Sequence, residues 1–174
     1  MEQNTTTNWN IDPTHSEVAF KVKHMMISTV TGNFNDFAGQ ISATGDDFTN
    51  ASFEFTAQID SIDTKNADRD GHLKSADFFD AAAFPALTFK STSATSDTVT
   101  GDLTIKGITK TVTLDLSLNG VAVDPYGQTK AGFEITGELN RKDFGLTWSA
   151  VTEAGNIVVS DKVKLVLDAQ FIKQ

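Results

Sequence analysis

Cysteine is absent from this chain, so no disulfide and no thiolate site can form, and the redox state of a compartment leaves no mark on the sequence. Basic runs are absent too. With a formal charge of −9, the composition as a whole argues against nucleic acid and against an anionic membrane surface as partners. No stretch is apolar and long enough to cross a bilayer as a helix, so no integral membrane segment is expected. Tyrosine occurs once and tryptophan twice, whereas phenylalanine occurs 13 times. Phenylalanine has no polar handle, and so many rings belong in a dry interior or against an apolar ligand. The N-terminal residues Met1 to Thr7 are polar and lack the apolar centre of a signal peptide. The chain as written is therefore expected in the cytoplasm, or in the periplasm if a signal has been removed ahead of Met1.

What the chain does have is period-two alternation. Val18, Phe20 and Val22 share one face of an extended stretch, and Phe53, Phe55, Ala57 and Ile59 share one face of another. Gly32 to Thr44 is expected to be one extended segment with Phe34 off parity at a bulge. Leu87 with Phe89, then Gly101 with Leu103 and Ile105, then Val112 with Leu114, Leu116 and Leu118 repeat the pattern. So do Phe133, Ile135, Gly137 and Leu139, and finally Val163, Leu165, Leu167, Ala169 and Phe171. Gly45-Asp46-Asp47 and Asp124-Pro125-Tyr126-Gly127 mark turns. About eight strands, each with one apolar face, predict an all-β eight-stranded antiparallel barrel; a two-sheet sandwich would alternate in the same way. Small inward residues (Ala57, Gly101, Gly137, Ala169) favour a cavity over a filled interior. Residues 1–8 are expected to be a flexible tail and residues 9–174 a single domain.

Two stretches break the alternation. Residues 24–30 suggest a helical turn, and residues 64–84 suggest two short helical segments that begin at the capping candidates Asn66 and Ser75. Leu73, Phe78, Phe79 and Phe84 would pack this second stretch across one end of the barrel before Pro85 stops it.

Catalytic and metal signatures are missing. His15, His24 and His72 lack close metal-ligand spacing, so no metal is expected. There is no Gly-x-Ser-x-Gly elbow and no phosphate-cradling glycine loop. The two arginines, Arg69 and Arg141, sit in motif-like clusters, Asn66-Ala67-Asp68-Arg69-Asp70 and Asn140-Arg141-Lys142-Asp143. One reading ties the crossing segment to the barrel rim through Arg–Asp pairs. The other has Arg69, with His72 and Lys74, meeting the polar end of a ligand.

Several segments, in order, resemble one known family. They are Trp9-Asn10-Ile11-Asp12-Pro13-Thr14-His15-Ser16, Phe20-Lys21-Val22-Lys23-His24-Met25, Val30-Thr31-Gly32-Asn33-Phe34, Asn66 to Asp80, Phe84-Pro85, Gly101 to Gly107, and Asn140 to Leu146. The chain is similar through these to the YceI-like, polyisoprenoid-binding proteins. The resemblance implies a lipocalin-like barrel whose apolar interior holds a long isoprenoid chain or similar amphiphile, without catalysis; it also suggests homodimers. An apolar tunnel by itself would also accept a quinone tail, a fatty acid or a fatty amide, and no other cofactor is expected. The expected tunnel lining is Phe20, Val22, Met25, Met26, Phe53, Phe55, Leu73, Phe78, Phe79, Phe89, Leu103, Phe133 and Trp148, with His24, Arg69 and His72 at the polar end. Two rivals stay open: an enzyme acting on a lipid-like substrate through His24, His72 and Arg69, and a dry-cored structural or stress-related barrel.

Overall fold

The computed structural model describes residues 6–44, 47–148 and 159–174. Its strands are β1 (Thr6–Ile11), β2 (Glu17–His24), β3 (Ser28–Phe34), β4 (Phe37–Thr44), β5 (Asp47–Gln58) and β6 (Ile62–Asp63), followed by helix α1 (Ala67–Lys74). Then come β7 (Ala86–Ala94), β8 (Thr98–Ile105), β9 (Ile108–Val123), β10 (Thr129–Asn140) and β11 (Val159–Lys173). Eight of them form a closed antiparallel ring in the order β1-β4-β5-β7-β8-β9-β10-β11, with β11 returning to β1. The eight-stranded antiparallel barrel expected from the alternation is therefore present, with one α-helix among the described residues lying across it.

β11 closes the ring by serving two partners. Its last residues pair with β1 through Ile11↔Phe171 and Trp9↔Lys173. Its earlier part pairs with β2, from Val159↔His24 to Asp168↔Glu17. β3 and the two-residue β6 extend this second wall. The ring thus has a narrow end, where β1 seals it, and a mouth, where β2, β3 and β6 flank the crossing segment.

The narrow end is filled by aromatic rings. Phe133 stands edge-on to Phe48 at 4.9 Å, to Phe171 at 5.8 Å and to Phe53 at 6.2 Å, and Phe48 leans on Trp9 at 5.2 Å. Over this packing, Asp12 follows β1 and gathers charge. Its carboxylate accepts from Lys130 Nζ at 3.0 Å and from Thr14 Oγ1 at 2.7 Å, and pairs with His15 Nδ1 at 2.9 Å. Lys130 also meets Asp124 at 3.5 Å. Burial opposes ionisation of Asp12, yet these donors outweigh it and hold its carboxyl well below the usual carboxylate range.

Several expectations need correction. Residues 24–30 are not helical: they are the end of β2, a tight turn at Met25-Met26-Ile27, and the start of β3. Met25 and Met26 both have positive φ (52° and 59°), and Ile27 N donates to His24 O, as in the primed turns that suit strand twist. Gly32 to Thr44 is two strands, because the chain breaks at Asn35-Asp36 and the parity restarts. Phe34 is thus in phase with Val30 and Gly32 on β3 and needs no bulge. Asn66 caps α1 as expected, accepting from Arg69 N at 3.0 Å. Ser75, however, ends that helix instead of starting another: its hydroxyl donates to His72 O at 2.6 Å, and the chain continues in turns to Pro85. Thr6 to Asn8, placed in a tail by composition, are paired with Thr44, Ala43 and Ser42 of β4. Residues 1–5, and Gly45-Asp46 of the first turn, lie outside the described residues.

Candidate functional site

The barrel interior contains two apolar chambers in line. The inner one, about 90 Å³, is walled by Phe53, Phe55, Phe89 and Leu103 on one side and by Ile135, Leu167 and Phe171 on the other. The outer one, about 100 Å³, lies beneath the crossing segment and is walled by Val22, Leu73, Phe78, Phe79, Leu139, Phe144 and Val163. Neither chamber exposes polar surface on its wall. Phe20, Phe34, Leu87 and Leu165 belong to both chambers and form the partition. Phe20 and Phe34 pack with ring centroids 5.6 Å apart. Gly32 lies opposite Phe20 in the β2–β3 pair, and the Phe20 ring occupies the space a Cβ on Gly32 would need.

Of the small inward residues, Ala169 lines the inner chamber as expected, but the two glycines work differently. A Cβ at Gly137 would collide with Leu114, and one at Gly101 would meet the backbone of Lys90 and Ser91. These glycines admit neighbouring groups; they do not open the cavity.

The outer chamber leads to a mouth of about 190 Å³ lined by Phe20, Val22, Lys23, His24, Val30, Thr64, Arg69, His72, Leu73, Phe78, Trp148 and Val159. The three polar residues expected together, His24, Arg69 and His72, do meet here, whereas Lys74 is not on this wall. Arg69 is held by one residue: its Nε donates to Thr64 Oγ1 at 2.8 Å and its Nη2 to Thr64 O at 2.6 Å. Thr64 is buried, and it donates through its own N–H and hydroxyl to Asp70. Asp70 is thereby committed to Thr64, and among the described residues Arg69 has no carboxylate within ion-pair distance. The Arg–Asp pairing foreseen for it is replaced by Arg–Thr–Asp. His72 stands edge-on to Trp148 at 4.9 Å and to Phe78 at 5.1 Å, with Nε2 3.1 Å from Asp77 Oδ2.

Arg141 has a different task. It is buried and donates to the carbonyls of Leu146 (2.7 Å), Trp148 (2.6 Å) and Ser160 (3.0 Å), with Asp161 at 3.7 Å. Burial lowers its pKa, against the pull of Asp161. Its fork fastens Trp148 and the start of β11 to the same rim, so it builds the mouth without facing it.

Three residues expected in the tunnel lining are elsewhere. Phe133 is fully buried in the aromatic packing of the narrow end and borders neither chamber. Met26 is 62% exposed at the hairpin tip, and Met25 beside it lines neither chamber nor mouth. Their tight turn carries the Met26 side chain past the end of the wall, while Met25 stays half-buried. Conversely, Phe34, Leu87, Leu114, Leu139 and Leu165 form wall that went unassigned. Leu114, Leu139 and Leu165 were legible as inward residues of their strands; Phe34 was hidden by the misplaced parity. Among the described residues no cluster of metal-binding side chains occurs.

Comparison with known proteins accords with this geometry. UPF0312 protein SA2479 of Staphylococcus aureus strain N315 is 39% identical over 166 residues, covering 95% of this chain and 97% of its own length. The crystal structure of the Campylobacter jejuni YCEI protein has 32% identity and a TM-score of 0.74, covering 100% of this chain and 99% of that one. A polyisoprenoid binding domain from Saccharophagus degradans shares the fold, with a TM-score of 0.73 at 16% identity over 95% of this chain and 98% of its own. Residues 9–171 match the YceI-like domain, and the chain belongs to that family.

Proposed function

We propose that this protein binds, and so stores or carries, one long-chain isoprenoid or similar amphiphile, with its tail in the barrel and its polar end at the mouth. The observation that carries the reading is the two all-apolar chambers in line with a mouth that bears His24, Arg69 and His72. An apolar ligand is recognised by burial: each methylene contributes roughly 0.8 kcal/mol, less the entropy of ordering the chain. The guanidinium of Arg69, free of a carboxylate among the described residues, is suited to a carbonyl, carboxylate or phosphate at the chain's head. The likeness to a domain described as polyisoprenoid binding agrees with this, and a binding role without turnover accords with it.

The chambers are small for a long chain. Typical small-molecule sites span roughly 300–1,000 Å³, and these two hold about 90 and about 100 Å³. A long tail therefore enters as the Phe20 and Phe34 rings swing off their partition. Replacement of Phe55, on the inner wall, by Asp tests the reading. The variant is expected to stay folded by circular dichroism and to lose uptake of a prenyl chain. Unchanged uptake would remove the inner chamber from the binding path.

A further inference from the structure

Lys21 and Lys23 on β2 and Lys162 and Lys164 on β11 are far apart in sequence, yet the β2–β11 pairing brings them onto one outer face. All four are exposed, and they line a shallow groove with Met26, Thr29, Glu138 and Asp161. Lys21 stands directly opposite Lys164. Like charges facing each other across a strand pair are destabilising. Relief inside the molecule is partial. Glu138 faces Lys164 from β10, Lys23 donates to Thr29 Oγ1 at 3.1 Å, and Asp161 is engaged by Lys142 at 3.3 Å. Among the described residues Lys21, Lys162 and Lys164 have no carboxylate within ion-pair distance.

Two further features give this cationic face a direction. The β2–β3 tip beside it exposes apolar surface, with Met26 at 62% and Ile27 at 82%, and the same hairpin supplies Val22 and His24 to the mouth. Along the same strands toward the narrow end the sign reverses: exposed Glu17, Asp168 and Glu134 lie abreast. Across the mouth, the approach to α1, α1 itself and the turn after it carry exposed Asp60, Asp63, Asp68 and Asp77 against the one exposed lysine of that stretch, Lys65. The net charge of −9 is thus segregated, and at the mouth an anionic surface is attracted to the lysine-rich β2–β11 side and repelled on balance by the aspartate-rich side across from it.

We propose that this face docks the protein on an anionic lipid bilayer, with the lysines over the headgroups and the Met26-Ile27 tip in the interface. Compact lysine charges beside an exposed apolar tip fit a lipid surface. A single-stranded nucleic acid would call for aromatic stacking platforms, which this face lacks, and a duplex would leave the exposed apolar tip without a partner. Docking does not depend on what the interior carries, and its test is separate from lipid uptake.

The test is co-flotation of the full chain with phosphatidylcholine vesicles made with and without phosphatidylglycerol. The protein is expected to float with the anionic vesicles at low salt, to be released as salt is raised, and to stay unbound with neutral vesicles. Each lysine near the surface contributes about five-fold in binding, so Lys21→Gln with Lys164→Gln should weaken flotation about 25-fold. Ile27→Asp should weaken it as well, and both variants should still take up a prenyl chain. Absence of flotation of the wild-type protein at low salt would overturn the proposal. So would equal binding to neutral vesicles, wild-type binding by the lysine variant, or equally tight binding to a DNA duplex. The wild-type composition and salt series stand by themselves if a variant misfolds.

Discussion

At the scale of single residues, two positions carry more than their neighbours. Asp12 collects donors from Thr14, His15 and Lys130 over the narrow end, and its carboxyl is held well below the ordinary range. Because its folded-state pKa is depressed, its stabilisation is complete above the unfolded value, near pH 4, and is lost as pH falls from there toward the folded value. Asp12→Asn should therefore cost about 2 kcal/mol at neutral pH and progressively less as the pH falls from about 4 toward the folded value, measured by urea unfolding at neutral pH and down to the most acid pH at which the barrel stays folded. An equal cost at both would show that the charge is not what stabilises. Gly32 is the other position. A methyl there would push the Phe20 ring off its seat. Gly32→Ala is expected to destabilise by about 1–3 kcal/mol and to alter the rate of prenyl uptake, since the displaced ring is one of the two aromatic rings in the partition. Uptake kinetics indistinguishable from wild type would detach Phe20 from gating.

At the scale of elements, legibility followed the periodicity. Phe53 to Ala57 of β5, Gly101 to Ile105 of β8 and Val163 to Phe171 of β11 alternate without interruption, and the inward residues of these stretches could be named from sequence. The β3–β4 region could not, because Asn35-Asp36 interrupts an extended stretch without glycine or proline, and a one-residue error in parity turns every side chain to the wrong face. The turn at Met25-Met26 was hidden for a different reason: non-glycine residues at positive φ carry none of the Asn-Gly signal of a tight hairpin. The end of α1 misled because serine can close a helix through its hydroxyl as well as open one. The polar mouth was legible only as residue types; that Arg69 is oriented by Thr64, fastened in turn by Asp70, is a tertiary fact. The cap at Asn66 is a testable part of this element. Asn66→Ala should cost about 1 kcal/mol, seen in thermal unfolding, and should raise hydrogen exchange in α1 above that of the barrel strands. Unchanged exchange in α1 would mean that packing, not the cap, holds the helix.

At the scale of the whole molecule, charge and apolar surface are both sorted along one axis. The narrow end is sealed by aromatic packing and the Asp12 cluster, and the mouth joins apolar chambers to a polar rim. Composition could not show this sorting. The −9 total conceals a cationic face assembled from two short stretches on paired strands, and the phenylalanine excess is divided between a filled end and a chambered one. The central claim is that the chambered end opens around one long apolar chain. Native mass spectrometry of the protein incubated with a detergent-dispersed polyprenol, before and after solvent extraction, tests it most directly. The account predicts one added mass per protein chain, removed by extraction and absent from the Phe55→Asp variant. A protein that keeps its bare mass with both the polyprenol and a long fatty acid would contradict it and leave a barrel filled by its own side chains.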